Sequence, residues 1–170
     1  MDKKVADLLK EQVNKEFYSS YLYLAYSNYY MNANLDGFGN WFMVQAQEEL
    51  DHALKFLKYL QDNNEEVTLG AIAAPNISFS DSRQPLVAAL EHEKFVTSSI
   101  NAIYRQAREV DDYRCTQFLD WFIAEQAEEE KSTGDLIARY DLLGGDPKSM
   151  YLLNAELATR TYTPATTTAE

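Results

Sequence analysis

Four long stretches of this chain carry apolar side chains at steps of three and four residues, the spacing of a helix with one buried face. Such helices can hide their stripes only against one another, which makes a bundle the expected fold. The first stretch covers about 3–32, with Val5, Leu9, Gln12, Glu16, Ser20 and Tyr23 in one row, widened by Leu8, Val13, Phe17 and Leu24. Asp2 is its expected N-cap. Asn34-Leu-Asp-Gly37 breaks the pattern, and a second helix follows to about Asn64 with the row Phe38, Phe42, Gln45, Glu49, His52, Phe56, Tyr59. The third begins near Ser82, holds Pro85 in its first turn, and has the row Leu86, Leu90, Glu93, Thr97, Ile100, Tyr104. Asp111 or Asp112 caps the fourth, whose row is Leu119, Phe122, Gln126, Glu129, Thr133, Leu136, Tyr140. It is expected to stop at Gly144-Gly145. Asp146-Pro147 opens a short fifth helix to about Ala158, and the last ten residues, from Thr161, read as a disordered tail.

The connections decide how these helices are joined. The breaks near 34 and 111 are short, so the first and second helices should be antiparallel neighbours, as should the third and fourth. Residues 65–82 form a much longer connection. Fully extended, such a segment spans roughly 60 Å, whereas a helix of this kind is only about 43 Å long. It can therefore run the whole length of the bundle, which accounts for so long a loop in a compact domain. The expectation is an all-α four-helix bundle with one long crossover and a short fifth helix, forming one domain over 1–160.

The net charge of −12 opposes a nucleic-acid partner, whose phosphates need cationic side chains, and suits a cationic partner such as a metal ion. The single cysteine, Cys115, permits no disulfide within the chain and no thiolate-rich zinc site; it reads as a packed or interface thiol. No apolar block resembles a signal peptide or a membrane span, so no membrane partner and a cytoplasmic location are expected.

Each inward row turns polar near its middle. There the first presents Glu16, the second Glu49 and His52, the third Glu93, and the fourth Gln126 and Glu129. Glu49 with His52, and Gln126 with Glu129, are three residues apart and share a face. Four carboxylates meeting in a dry bundle are very unfavourable unless protons or cations compensate. Two divalent cations, bridged by Glu49 and a second carboxylate, would balance the charge. Oxygen ligands with one imidazole suit iron or manganese, and zinc would also bind. Tyr23 follows Glu16 by seven residues on the same face, either as a core tyrosine or as a redox-active or hydrogen-bonding neighbour of the metals. Glu48, Glu125 and Glu128 flank the centre, either as a solvated acidic face or as an extra cation site. His92 points away from Glu93 and reads as a surface or interface histidine. Tyr18, Tyr21, Tyr26, Tyr29 and Tyr30 lie beyond the core row, either at subunit contacts or beneath the 65–82 connection.

These residues fall in a recognisable pattern. The stretches Asn14-Lys-Glu16-Phe-Tyr-Ser-Ser-Tyr-Leu-Tyr23, Asp36-Gly-Phe-Gly-Asn-Trp-Phe42, Gln47-Glu-Glu49-Leu-Asp-His52-Ala, Glu91-His-Glu93-Lys and Phe118-Leu-Asp-Trp-Phe-Ile-Ala-Glu125-Gln-Ala-Glu-Glu129-Glu resemble the prokaryotic non-haem ferritins, over about 3–158. The resemblance implies a di-iron ferroxidase centre. Glu16, Glu49 and His52 would hold one iron with Gln126 nearby, and Glu49 would bridge to a second iron held by Glu93 and Glu129. Glu48, Glu125 and Glu128, with Glu129 shared, match a third iron site, and Tyr23 matches a tyrosine beside the centre. The family oxidises Fe(II) with dioxygen or hydrogen peroxide and stores ferric mineral in a homo-oligomeric 24-subunit shell.

Departures from related families sharpen the resemblance. Lys131 follows Glu128 where a bacterioferritin carries a second histidine, and Leu50 stands where a haem-binding methionine would, so no haem is expected. Thr116 and Leu119 replace the carboxylates that line the three-fold pore of animal ferritins. A non-catalytic metal-buffering shell subunit and a di-iron oxygenase subunit are the alternatives on the same bundle.

Overall fold

The computed structural model describes residues 1–164; residues 165–170, most of the expected tail, lie outside the described residues. Five helices follow in order: α1 (Lys3–Asn32), α2 (Asp36–Asp62), α3 (Gln84–Glu109), α4 (Tyr113–Leu143) and α5 (Pro147–Leu157). Asp2, Asp112 and Asp146 cap α1, α4 and α5, each accepting from a backbone N–H in the first turn. α3 begins two residues later than expected, because Asp81 turns back to accept from the N–H groups of Arg83 and Gln84.

Three helices end alike. Asn34, Asn64 and Asp111 follow α1, α2 and α3 with φ of 57°, 58° and 56°, the left-handed conformation that Asn and Asp tolerate best among residues with a side chain. The next residue then bonds back to the last turn: Leu35 N–H to the Tyr30 carbonyl, Glu65 to Leu60, and Asp112 to Ala107. α4 stops at Gly144 as expected but with φ −69°, so no left-handed turn is involved. A Cβ there would lie 2.7 Å from the Tyr140 carbonyl oxygen, which accounts for the glycine by close approach.

The start of α2 is made by tertiary structure. Leu35 offers no capping side chain, and Asn154 of α5 supplies its Oδ1 to the N–H groups of Gly37 (2.9 Å) and Phe38 (3.3 Å). The fit depends on Gly37, where a Cβ would fall 1.7 Å from the Asn154 carbonyl oxygen.

The crossover runs along α1. Lys10 pairs with Glu65, Asn14 donates to the Ala71 carbonyl, Phe79 meets the rings of Tyr26 and Tyr29, and the Tyr30 hydroxyl donates to the Ser82 carbonyl. Tyr26 and Tyr30 are thus buried beneath the connection, whereas Tyr21 is exposed. Leu24, expected to widen the buried stripe, faces outward.

Two apolar clusters fill the bundle. One is rich in rings, with Tyr23, Tyr26, Tyr30, Phe38, Trp41 and Phe42. The other is mainly aliphatic and gathers Val5, Leu9, Val13, Leu60, Val96, Ile100 and Leu119 around Phe56 and Phe122. Between them lies one polar layer.

Candidate metal centre

Glu16, Glu49, His52, Glu93, Gln126 and Glu129 are all buried and meet in that layer. Their polar atoms form overlapping groups. Glu16, Glu49 and His52 offer ligand atoms within 4.8 Å of one another, and Glu49, Glu93 and Glu129 do the same. Glu49 belongs to both groups, the position a bridging carboxylate needs. A third group, His52 with Glu125 and Glu129, adjoins them on the α4 side.

The hydrogen bonds leave this layer incomplete. Gln12 donates to Glu16 Oε1 (2.8 Å), its own Oε1 held by the Ser99 hydroxyl (2.7 Å). The Tyr23 hydroxyl donates to Glu93 Oε1, and Gln126 Nε2 donates to Glu93 Oε2 (3.1 Å). Beyond that the donors run out. Six buried side-chain atoms lack a hydrogen-bond partner among the described residues, and five belong here: Glu16 Oε2, both Glu49 oxygens, His52 Nδ1 and Glu129 Oε2. Buried polar atoms are nearly always satisfied, so a cluster of orphans marks where something else binds.

Electrostatics agree. Burial, then the charges of Glu93 and Glu16, drive the Glu49 carboxyl well above its usual range. Burial, then Glu93 and Glu49, do the same to Glu129. Burial also raises Glu16, although His52 and the Gln12 hydrogen bond oppose it. Burial, followed by Glu93, keeps the Tyr23 phenol protonated far past its ordinary range. Tyr23 therefore remains a donor to Glu93.

Rings fix the imidazole. His52 meets Trp121 and Phe122 edge-on at 5.4 and 5.9 Å between centroids, and Phe122 stacks on Phe56 at 4.0 Å. Opposite, Gln126 also reaches the Thr97 hydroxyl, which donates to Glu130 (2.6 Å). These three residues help line a groove of about 260 Å³ between α3 and α4.

The flanking residues separate. Glu125 joins the third group, with Oε1 3.8 Å from His52 Nε2. Glu48 enters none of the three groups; its carboxylate accepts from Arg160 (2.7 Å). Glu128 is exposed and enters none either. His92 is a correction: instead of facing outward it turns toward α1, bonding the Ser19 hydroxyl (2.7 Å) and packing against Tyr18 and Tyr23. The helical offset from Glu93, which in the sequence reads as a surface or interface position, aims into the α1–α3 seam of the same chain. Cys115 is buried and its thiol is pushed up to about 12, which removes it as a nucleophile. A further correction concerns the C-terminus. Tyr162, expected in the tail, donates its hydroxyl to Asp51. Gln12 and Thr97 were visible in the inward rows, four residues from Glu16 and Glu93, although only contact distances reveal their parts. For Arg160 and Tyr162 the sequence carried no signal.

Known proteins share this fold. The ferritin-like domain family matches residues 6–143. A probable bacterial non-heme ferritin-like protein from Haemophilus influenzae is 34% identical over 157 residues, covering 92% of this chain and 95% of that one. A bacterial non-heme ferritin from Campylobacter jejuni is 35% identical over 152 residues, 89% of this chain and 91% of its own. An open pore ferritin from the archaeon Archaeoglobus fulgidus superposes with a TM-score of 0.92 at 35% identity, over 95% of this chain and 98% of that one. With a domain match over most of its length and relatives above 30% identity, the chain belongs to the ferritin family, in its bacterial-type non-haem branch.

Proposed function

We propose that the protein stores iron and is a ferroxidase, oxidising Fe(II) to Fe(III) with dioxygen or hydrogen peroxide at this centre. The observation that carries the reading is the set of orphaned, proton-hungry carboxylates shared between two ligand groups in a dry layer. Glu16, Glu49 and His52 would hold one Fe(II), and Glu49, Glu93 and Glu129 the other, with Gln126 beside the pair. The iron supplies the electrons and the oxidant takes them. The protein's part is positional and electrostatic. Carboxylates favour the harder Fe(III), so the ligand set assists oxidation, and one imidazole for two metals leaves the product loosely held. The Tyr23 hydroxyl orients Glu93, and Gln12 orients Glu16. The Glu125 side of the layer is the candidate third position. No haem is needed.

Storage implies assembly. Exposed Leu24, Met31, Leu50, Leu54 and Phe95 on the outer helix faces are suited to contacts between copies of the chain. We extend to this protein the family's 24-subunit shell and cytoplasmic setting. Light scattering checks the first: the expected particle is near half a megadalton, built of 19.5 kDa chains.

Stopped-flow absorbance tests the chemistry. The wild type should show a fast Fe(II)-dependent rise that Glu49→Ala abolishes. Identical traces for the two proteins would overturn the ferroxidase reading, and equal mineralisation without the His52 and Glu93 side chains would favour a metal buffer.

A further inference from the structure

The five-helix fold does not end at α5. Residues 158–163 return along α2 as a strap, and Asn40 Nδ2 anchors it by donating to the carbonyls of Leu157 (3.1 Å) and Arg160 (2.9 Å). Arg160 then reaches over α2. Its guanidinium lies 4.9 Å from the Trp41 ring centroid, donates to the Trp41 carbonyl (3.2 Å), and donates to Glu48 Oε2 (2.7 Å). Two residues on, the Tyr162 hydroxyl donates to Asp51. The Arg160 and Glu48 side chains are 27% and 25% exposed, so solvent screens this pair only in part.

The place where the strap lands is informative. Glu48 stands one helical turn before His52 on α2 and shares its face, and His52 belongs with Glu125 and Glu129 to the third ligand group. In that group Glu129 Oε2 is buried without a hydrogen-bond partner, and His52 turns Nε2 toward Glu125 (3.8 Å) while its Nδ1 faces Glu49 (3.6 Å). Glu48 is thus the natural fourth ligand for a cation held there, but its charge is already met by a guanidinium.

We infer that Arg160 is an internal competitor for the outer cation position: it holds Glu48 away from the His52–Glu125–Glu129 group, and a divalent cation that recruits Glu48 must release the strap. A guanidinium cannot be deprotonated, so only an exchange of partners frees the carboxylate. The coupling is reciprocal: whatever the docked strap takes from metal affinity, bound metal takes from strap docking. The outer position is therefore held weak while Glu16, Glu49, Glu93 and Glu129, whose charges no lysine or arginine contacts among the described hydrogen bonds and ion pairs, stay tight.

This rests on the reading of the layer as a cation centre, and the test separates the two. Metal-free, full-length protein is titrated with Zn²⁺, a redox-inert probe, by calorimetry. The wild type should show two tight sites and one weak one. Arg160→Gln should tighten the weak site about tenfold, within the range of ordinary coupling between sites, and leave the tight pair unchanged. Arg160→Lys should keep most of the wild-type behaviour. Should Arg160→Gln disturb folding, Tyr162→Phe loosens the same strap from Asp51 and should tighten the weak site to a smaller extent. Hydrogen exchange at 159–163 in the wild type should speed up only as the weak site fills. An unchanged weak site in every folded variant, or strap amides slowed by zinc, would overturn the inference and leave the centre standing. A wild type that binds no zinc would overturn both.

Discussion

The inner carboxylate layer and the outer acidic shelf lie side by side on α2 and α4, yet they solve the same electrostatic problem differently. In the layer, the charges that act most strongly on Glu49 and Glu129 are those of other carboxylates. On the shelf, the protein sets cations and donors of its own beside carboxylates. Arg160 meets Glu48, and Lys55 stands 3.3 Å from the Trp121 ring centroid, where it feels Glu125 and Asp51. Acidic residues near one another are therefore not equivalent evidence of a metal site. A group the protein has already balanced needs nothing further, whereas an unbalanced buried group is a demand for an external cation.

The sharpest way to break this contrast is to remove the shared inner ligand. Glu49→Gln should lower the rate of Fe(II) oxidation by more than roughly 100-fold, beyond the usual effect of residues that only orient a ligand. Stopped-flow absorbance reads the loss.

Next comes pH. The folded carboxyls of Glu49, Glu129 and Glu16 are raised above the ordinary 4.5, so the metal-free fold holds protons that the unfolded chain releases. Their stabilisation is complete below that value and is lost as pH rises through the higher, folded-state range. Metal-free protein should therefore melt at a lower temperature near pH 8 than near pH 6, by several degrees. Divalent metal should reverse the trend, because the ligands must then be ionised. Glu49→Gln should flatten the metal-free slope, and calorimetry at the two pH values checks all three statements.

Tyr23→Phe removes one donor from Glu93 while leaving every proposed ligand in place. Oxidation should slow by about tenfold, the scale of a lost orienting partner. The smallest effect belongs to the shelf's outermost member. Glu128→Gln, at an exposed carboxylate outside every ligand group, should change stability by no more than about 0.5 kcal/mol. It should also leave the zinc isotherm as it was.

The helices, their antiparallel pairing and the six inner residues were legible because a helix converts spacing into facing. Glu49 and His52 must share a side, and an apolar row on either side of them must be buried. The crossover was legible from length alone, although its path was not. Whether Tyr26 and Tyr30 face a neighbouring subunit or the connection was settled by Phe79 and Ser82 lying over them. His92 was misread for a related reason: an angle around one helix says nothing about which neighbour stands in that direction.

The sequence by itself determined an acidic, all-helical bundle whose four inward faces turn ionisable at one depth, since those properties follow from local periodicity. Tertiary structure alone decided which acids remain unpaired, because pairing depends on contacts such as Arg160 with Glu48, separated by 112 positions. It likewise decided the cap that Asn154 places on Gly37. Distances between remote parts of a chain are products of packing, and no spacing rule within one helix encodes them.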